Sequence, residues 1–108
     1  MQKKMQVRIS HSVEEKLERF YLFAMQKHPS LSREAVIAKL TRMQDKLMVL
    51  GEFPNGFAFA ENPEWRKKRY RELNVERFRF AYQELIDPET TEHFIYIFDV
   101  IYETEYKL

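Results

Sequence analysis

The apolar residues of this chain repeat with a helical period between residues 13 and 50 and with a period of two between residues 71 and 82. In the first helical stretch, Ser12 is followed three positions later by Glu15, and this capping-box pattern predicts a helix start. His28 and Pro29 predict its end, because a proline disfavours helical backbone in the residue before it. One apolar stripe runs along this helix, made of Val13, Leu17, Phe20, Tyr21 and Ala24.

A second helix is predicted to begin near Ser30 or Ser32 and to end at Gly51. Its apolar stripe alternates by four and three positions and consists of Val36, Leu40, Met43, Leu47 and Leu50. The short proline-containing turn between the two helices predicts a helical hairpin. Each helix has one apolar stripe, so another layer of structure must cover both.

Period-two segments predict that layer to be a sheet. Residues 5–9 alternate weakly ahead of the first helix, and residues 71–75 and 78–82 alternate more clearly. Residues 93–102 are almost continuously apolar, which is typical of a central strand buried on both faces. The turn-rich residues 53–65 predict a loop with a few extended residues, and residues 87–90 predict a turn.

The order β, α, α, β, β, β predicts an α+β fold, in which a helical hairpin packs on a small antiparallel sheet. With 108 residues, 44% of them hydrophobic, the chain can bury one modest core, so residues 1–108 are expected to form a single domain. No segment resembles a membrane span or a signal peptide, and the chain has no cysteine. We therefore expect a cytoplasmic protein without disulfides.

Charge is distributed unevenly, although the net charge is only +1. Seven cations lie within residues 66–79, namely Arg66, Lys67, Lys68, Arg69, Arg71, Arg77 and Arg79. Because strand residues alternate between faces, Phe78, Phe80 and Tyr82 are expected to face the helices. Arg77 and Arg79 are then expected to point away from the core. Convergence of the cations on one sheet face predicts a binding site for phosphate or carboxylate, and the alternative is a solvated basic surface. Just before this band, Trp65, Phe57 and Phe59 either anchor a partner or close the core.

Other site chemistries lack the residues that they need. His11, His28 and His93 share no ligand spacing, which disfavours a metal site. Glycine occurs only at positions 51 and 56, so a glycine-rich phosphate loop is excluded. No nucleophile has a visible partner residue, and no cofactor is predicted.

Across nearly the whole chain, the sequence resembles the RelE/ParE superfamily, the toxins of bacterial type II toxin-antitoxin pairs. The resemblance is carried by the segment "YREL-NV-ERFRFAYQ" and by Ile9-Ser10 before the first helix. The matching residues are Arg71, Leu73, Val75, Phe78, Arg79 and Tyr82. The resemblance implies a cognate antitoxin, whose flexible segment wraps across the helices and the sheet and folds on binding. The basic residues 66–71 would then attract acidic antitoxin residues.

Two mechanisms follow from the resemblance. RelE-like members cleave messenger RNA in the ribosome, and on that pattern Arg71 and Arg79 would hold the phosphate, with Lys67 or Lys68 adding charge and Tyr82 nearby. However, Tyr82 is expected on the same face of the strand as Phe78 and Phe80. Its alternative role is therefore that of a tyrosine buried in the core.

ParE-like members instead bind DNA gyrase without catalysis. The chain ends in "FDVIYETEYKL", where RelE-like nucleases commonly carry His, Arg or Tyr in and after the last strand. Only tyrosines are present here, and with an ordinary pKa of about 10 they are poor bases at neutral pH. We therefore expect a ParE-like inhibitor, with an RNA-cleaving toxin and an inactive relative that only binds antitoxin as alternatives.

Overall fold

The computed structural model describes residues 4–102 and shows an α+β fold with the predicted order of main elements. The helices are α1 (His11–Lys27), α2 (Arg33–Met48) and α3 (Pro63–Lys67), and the strands are β1 (Gln6–Ile9), β2 (Arg71–Val75), β3 (Phe78–Ile86) and β4 (His93–Tyr102). A turn of 3-10 helix, Val49–Gly51, extends α2. No helix within this described range is long and apolar enough to cross a membrane.

The sheet has the order β1-β4-β3-β2, so β4 is central, as predicted. β2 pairs antiparallel with β3, and β3 pairs antiparallel with β4. The expectation of a wholly antiparallel sheet is wrong for β1, which pairs parallel with β4. A long connection through helices permits this pairing, whereas the short turns between the other strands impose antiparallel neighbours.

α1 starts two residues earlier than predicted. Ser10, not Ser12, caps it, and the Ser10 hydroxyl accepts a hydrogen bond from the Val13 N–H at 3.2 Å. The Ser10 N–H still pairs with the Ile97 carbonyl at 3.1 Å, so the chain turns from β1 into α1 without a loop. The predicted end is confirmed, since α1 stops at Lys27 and His28 caps it.

α2 starts at one of the two predicted positions. The Ser32 hydroxyl accepts a hydrogen bond from the Ala35 N–H at 3.1 Å. At the far end, the Gly51 carbonyl accepts from the Met5 N–H at 2.9 Å, which ties the end of this helix to the chain just before β1. A Cβ atom at Gly51 would lie 2.2 Å from the Met5 carbonyl oxygen, so this close approach requires glycine.

The main core lies between the helices and one face of the sheet, which we call the helix face. Phe78, Phe80 and Tyr82 point into this core, as their alternation predicts. A β-bulge in β4 shifts the register between Ala81 and Tyr82. The buried residues of the main core are Val13, Tyr21, Val36, Met43, Leu47, Leu50, Leu73, Val75, Phe78, Phe80, Tyr82, Ile95, Ile97 and Val100.

The other side of the sheet, which we call the open face, has a smaller core of Ala60, Trp65, Tyr70 and Ala81. Phe98 alternates with the core residue Ile97 and so lies on this side, where its ring stacks on Tyr70 with centroids 4.7 Å apart. α3 covers this core and replaces part of the predicted loop. Pairing of residues 58–60 with the outer edge of β2 supplies the expected extended residues, through the bonds Glu72 N–H to Ala58 and Ala60 N–H to Tyr70.

Candidate functional site

Four consecutive cations, Arg66, Lys67, Lys68 and Arg69, are all exposed on α3 and the turn that ends it. We call these four residues the basic patch. α3 forms here because Asn62 caps it, with its side-chain oxygen accepting from the Glu64 N–H at 2.9 Å and the Trp65 N–H at 3.2 Å. Pro63 occupies the first turn, where its missing N–H costs nothing. The pair Asn62-Pro63 therefore indicates the start of a helix within residues 53–65, which were predicted to form a loop.

Trp65 fixes α3 to the sheet. Its side chain is only 3% exposed, so of the two roles considered for Trp65 it closes a core and is not placed to anchor a partner. The indole N–H donates to the Asp99 carboxylate at 3.1 Å, and the Lys16 ammonium contacts the same carboxylate at 2.6 Å. Burial of the Asp99 carboxyl favours its neutral form, but the hydrogen bonds from Lys16, the Val100 N–H and Trp65 outweigh this effect and lower its pKa.

The turn after α3 holds the last cation of the basic patch in an unusual backbone conformation. Arg69 has a φ of 60°, in the left-handed region that favours glycine. The Arg69 N–H donates to the Arg66 carbonyl and the Tyr70 N–H to the Trp65 carbonyl, which is the hydrogen-bond pattern of a Schellman motif. The Gln83 amide donates to the Lys68 carbonyl at 3.4 Å, so the turn is tied to β3 as well.

Arg71 points to the helix face at the edge of the sheet. Its guanidinium donates to the Phe57 carbonyl at 2.6 Å and lies 4.2 Å from the centre of the Phe59 ring. Arg71 therefore braces the loop before α3. Phe57 packs against the main core, and Phe59 stays exposed beneath the arginine.

Tyr82 is fully buried, so no substrate can reach it in this conformation. Its hydroxyl donates to the Pro54 carbonyl at 3.2 Å. Burial raises its pKa to about 12, against a small opposing effect of the Arg71 charge. The role as a core tyrosine fits this position, and the catalytic role does not.

Arg79 lies on the open face, and its guanidinium is 3.8 Å from the Glu72 carboxylate. Arg71 pairs across the strands with Tyr82, whereas Arg79 pairs with Asn74, so the two arginines are on opposite faces of the sheet. The predicted convergence of the cations on one face is therefore wrong, because the two arginines have opposite parity in the β2–β3 pairing. Arg77 is exposed at the β2–β3 turn, at the far end of β2 from the basic patch.

An apolar groove between α1 and α2 was not anticipated from the sequence. It has a volume of about 640 Å³, and Leu22 and Ile37 on its walls are 56% and 51% exposed. Leu40, which the helical stripe placed in the core, is only partly buried and lines this groove. The sequence did contain a signal for this groove. Residues 20–25 are six consecutive apolar residues, so they form an apolar surface wider than one stripe of a helix.

Within residues 4–102, no group of three or more His, Asp or Glu side chains could hold a metal ion. Comparison with known proteins does not assign a family, since no family model matches the chain and no curated protein matches it with significance. Interpretation of the site therefore depends on the geometry described above.

Proposed function

We propose that this chain is the toxin subunit of a toxin-antitoxin pair, which acts in the cytoplasm by binding a protein target of the DNA gyrase type and is neutralised by a cognate antitoxin. The observation that carries the proposal is the apolar groove between α1 and α2. A large apolar surface left open on a small protein is typical of a protein-binding site.

The groove suits a segment that folds as it binds. Leu17, Leu22 and Met25 from α1 face Val36 and Ile37 from α2, so the walls offer apolar contacts along several helical turns. An amphipathic antitoxin segment would bury its apolar face there. The rim is charged, with Glu14 and Glu18 on one helix and Arg33 on the other, which would fix the direction of the segment.

Inhibition by binding is preferred to RNA cleavage because the three residues that the resemblance implicates in catalysis are not assembled. Tyr82 is fully buried in the core, out of reach of a substrate. Arg71 and Arg79 lie on opposite faces and do not form a shared clamp for one phosphate. General acid–base catalysis needs groups within hydrogen-bond reach of one substrate.

The proposal is tested by controlled expression of the chain in a bacterial host. We expect growth arrest with a DNA-damage response and intact messenger RNA, and we expect the purified chain to inhibit supercoiling by purified gyrase. New cuts within translated messages would replace this mechanism with RNA cleavage. Unimpaired growth would indicate the inactive relative that only binds antitoxin.

The role of the groove is tested separately with Leu22→Glu and Ile37→Glu, which place a charge on the apolar walls. We expect each variant to remain toxic and to lose neutralisation by the antitoxin encoded beside it. Ile86→Glu is the matched control, because Ile86 is similarly exposed but lies outside the groove. Equal neutralisation of all three variants would show that the antitoxin binds elsewhere.

A further inference from the structure

The groove between α1 and α2 carries opposite charges in its two halves. Because the loop between the helices is short, they run antiparallel, and the start of α1 lies far from the start of α2. Glu14 and Glu18 line the half beside the start of α1, and Arg33 lines the half beside the start of α2. All three side chains are exposed, and no ion pair among residues 4–102 includes any of them. The apolar groove therefore has an unpaired negative half and an unpaired positive half.

This surface is unfavourable while it remains uncovered. Glu14 and Glu18 are four positions apart on α1, where two like charges destabilise a helix. Leu22 and Ile37 project from the walls and are 56% and 51% exposed, although aliphatic side chains gain free energy from burial. A matching occupant must supply an apolar surface, a cation for the two glutamates and an anion for Arg33.

We infer that a second copy of the chain supplies all three, so that two chains associate groove to groove. A two-fold axis perpendicular to the helices turns the groove end to end. Arg33 of each copy then lies beside Glu14 and Glu18 of the other, and the exposed Leu22 and Ile37 of each copy pack against the groove walls of the other. The two helical hairpins form a four-helix layer between two sheets.

The charges select this orientation of the second copy. Rotation about an axis parallel to the helices would keep each residue at its own height, so Arg33 of both copies would lie at one end without an acidic partner. The perpendicular axis pairs the charges at both ends, and symmetry makes every favourable contact occur twice. Apolar burial supplies most of the affinity, and the paired charges fix the arrangement.

Self-association goes beyond the proposed function and does not rest on it, since the mass of the purified chain can be measured whether or not the chain is toxic. The two are linked at the groove, because an antitoxin segment that binds there would displace the second copy. The chain is then expected to be a dimer when free and to dissociate when it is neutralised.

Sedimentation equilibrium of the purified full chain, at concentrations up to about 100 μM, tests the inference. We expect the mass of two chains. Leu22→Glu places a charge in the apolar interface and should give the mass of one chain. Ile86→Glu is the matched control, because Ile86 is equally exposed and lies outside the groove, so this variant should stay dimeric. A parent chain with the mass of one copy, or a Leu22→Glu variant that stays dimeric, would overturn the inference.

Charge reversal tests the arrangement of the two copies. Arg33→Glu makes both halves of the groove acidic, and the double variant Glu14→Arg, Glu18→Arg makes both basic. Each should dimerise at least about tenfold more weakly, since one exposed ion pair is worth about threefold and symmetry counts it twice. Mixed in equal amounts, the two variants should form a heterodimer as tight as the parent dimer, because every acid then meets a base. Lys46→Glu reverses an exposed charge of α2 outside the groove and should dimerise like the parent.

A mixture that remains monomeric while circular dichroism shows both variants folded would overturn the inference. The same measurements separate it from the proposed function. A dimer in a chain that never arrests growth would remove the proposed function and keep the groove as a self-association surface. A monomeric chain that arrests growth, and that escapes neutralisation through Leu22→Glu, would leave the groove to the antitoxin alone and overturn the inference.

Discussion

The two faces of the sheet are stabilised in different ways. Among residues 4–102, the helix face contributes to a main core of fourteen buried residues, while the open face has a second core of four, so hydrophobic burial is concentrated on one side. On the open face, α3 depends on polar contacts, among them the Asn62 cap and the bond from Trp65 to Asp99. One face therefore supplies most of the stability, and the other fixes the position of the basic patch.

This division explains how a protein with a net charge of +1 can carry a concentrated basic surface. The cations of the basic patch lie on the short helix α3 and the turn that ends it, outside the main core. Their mutual repulsion therefore acts where it disturbs little hydrophobic burial. The groove, in contrast, lies on the helix side, and its walls share residues such as Val36 and Leu47 with the core. Changes at Val36 or Leu47 are thus expected to affect both stability and binding, whereas changes at the exposed Leu22 and Ile37 should affect binding alone.

The largest expected effect is on the helix face. Phe80 is fully buried in the main core, and Phe80→Ala should reduce the free energy of unfolding by about 3–5 kcal/mol, from lost burial and a residual cavity. Urea denaturation followed by circular dichroism measures it. Phe53→Ala is the control, because Phe53 is 59% exposed and its loss should cost less than about 0.5 kcal/mol. Similar costs for both variants would contradict the assignment of the main core.

A smaller and more local effect is expected on the open face. Trp65→Ala removes the anchor of α3, but the main core stays intact, so the global cost should lie at or below about 3 kcal/mol, the lower end for a buried tryptophan, and below that of Phe80→Ala. Hydrogen exchange should accelerate at the amides of α3 and remain slow in β3 and β4. Glu64→Ala, an exposed neighbour on the same helix, should change neither. Uniformly faster exchange across the sheet would show that the two faces unfold as one unit.

The sequence predicted the elements with a strong hydrophobic period, including both long helices and the central position of β4. Phe78, Phe80 and Tyr82 were placed correctly because alternation in a strand depends only on local geometry. The cap of α1 was misplaced, since Ser10 and Ser12 both have suitable side chains and only the pairing of Ser10 with β4 decides between them. The parallel pairing of β1 likewise depends on a contact between distant parts of the chain.

The candidate site was harder to predict, because it depends on relations between elements. Alternation within β2 determines which of its residues share a face with Arg71. Whether Arg79 lies on that face or on the opposite one depends on the register between β2 and β3. The burial of Trp65 depends on a partner 34 positions away, Asp99. The run of cations in residues 66–79 was visible in the sequence, and the four residues of the basic patch, on α3 and the turn that ends it, are exposed.

High pH should weaken the helix face selectively. The pKa of Tyr82 is raised from 10.0 to about 12, so the unfolded chain loses its proton first as the pH rises. The free energy of unfolding therefore keeps its full value below pH 10 and falls by about 2–3 kcal/mol as the pH approaches 12. Unfolding free energies at pH 9 and pH 12 measure this loss, and Tyr82→Phe should show a smaller one. An equal loss in that variant would assign the effect to other groups, such as Tyr21, whose pKa burial also raises.

Low pH should have the smallest effect, and it should act on the open face. Because the folded-state pKa of Asp99 is lowered, its contribution is present above the unfolded value of 3.8 and is lost as the pH falls through the folded value. Trp65 is the only tryptophan of the chain, so its fluorescence reports directly on protonation of the carboxylate that it contacts. Asp99→Asn should abolish the acid change in fluorescence. Asp87→Asn is the matched control, because the Glu89 N–H lowers the pKa of Asp87 away from the indole, and its acid change in fluorescence should match that of the parent. If the signal disappeared in Asp87→Asn instead, the link between Asp99 and the position of α3 would be wrong.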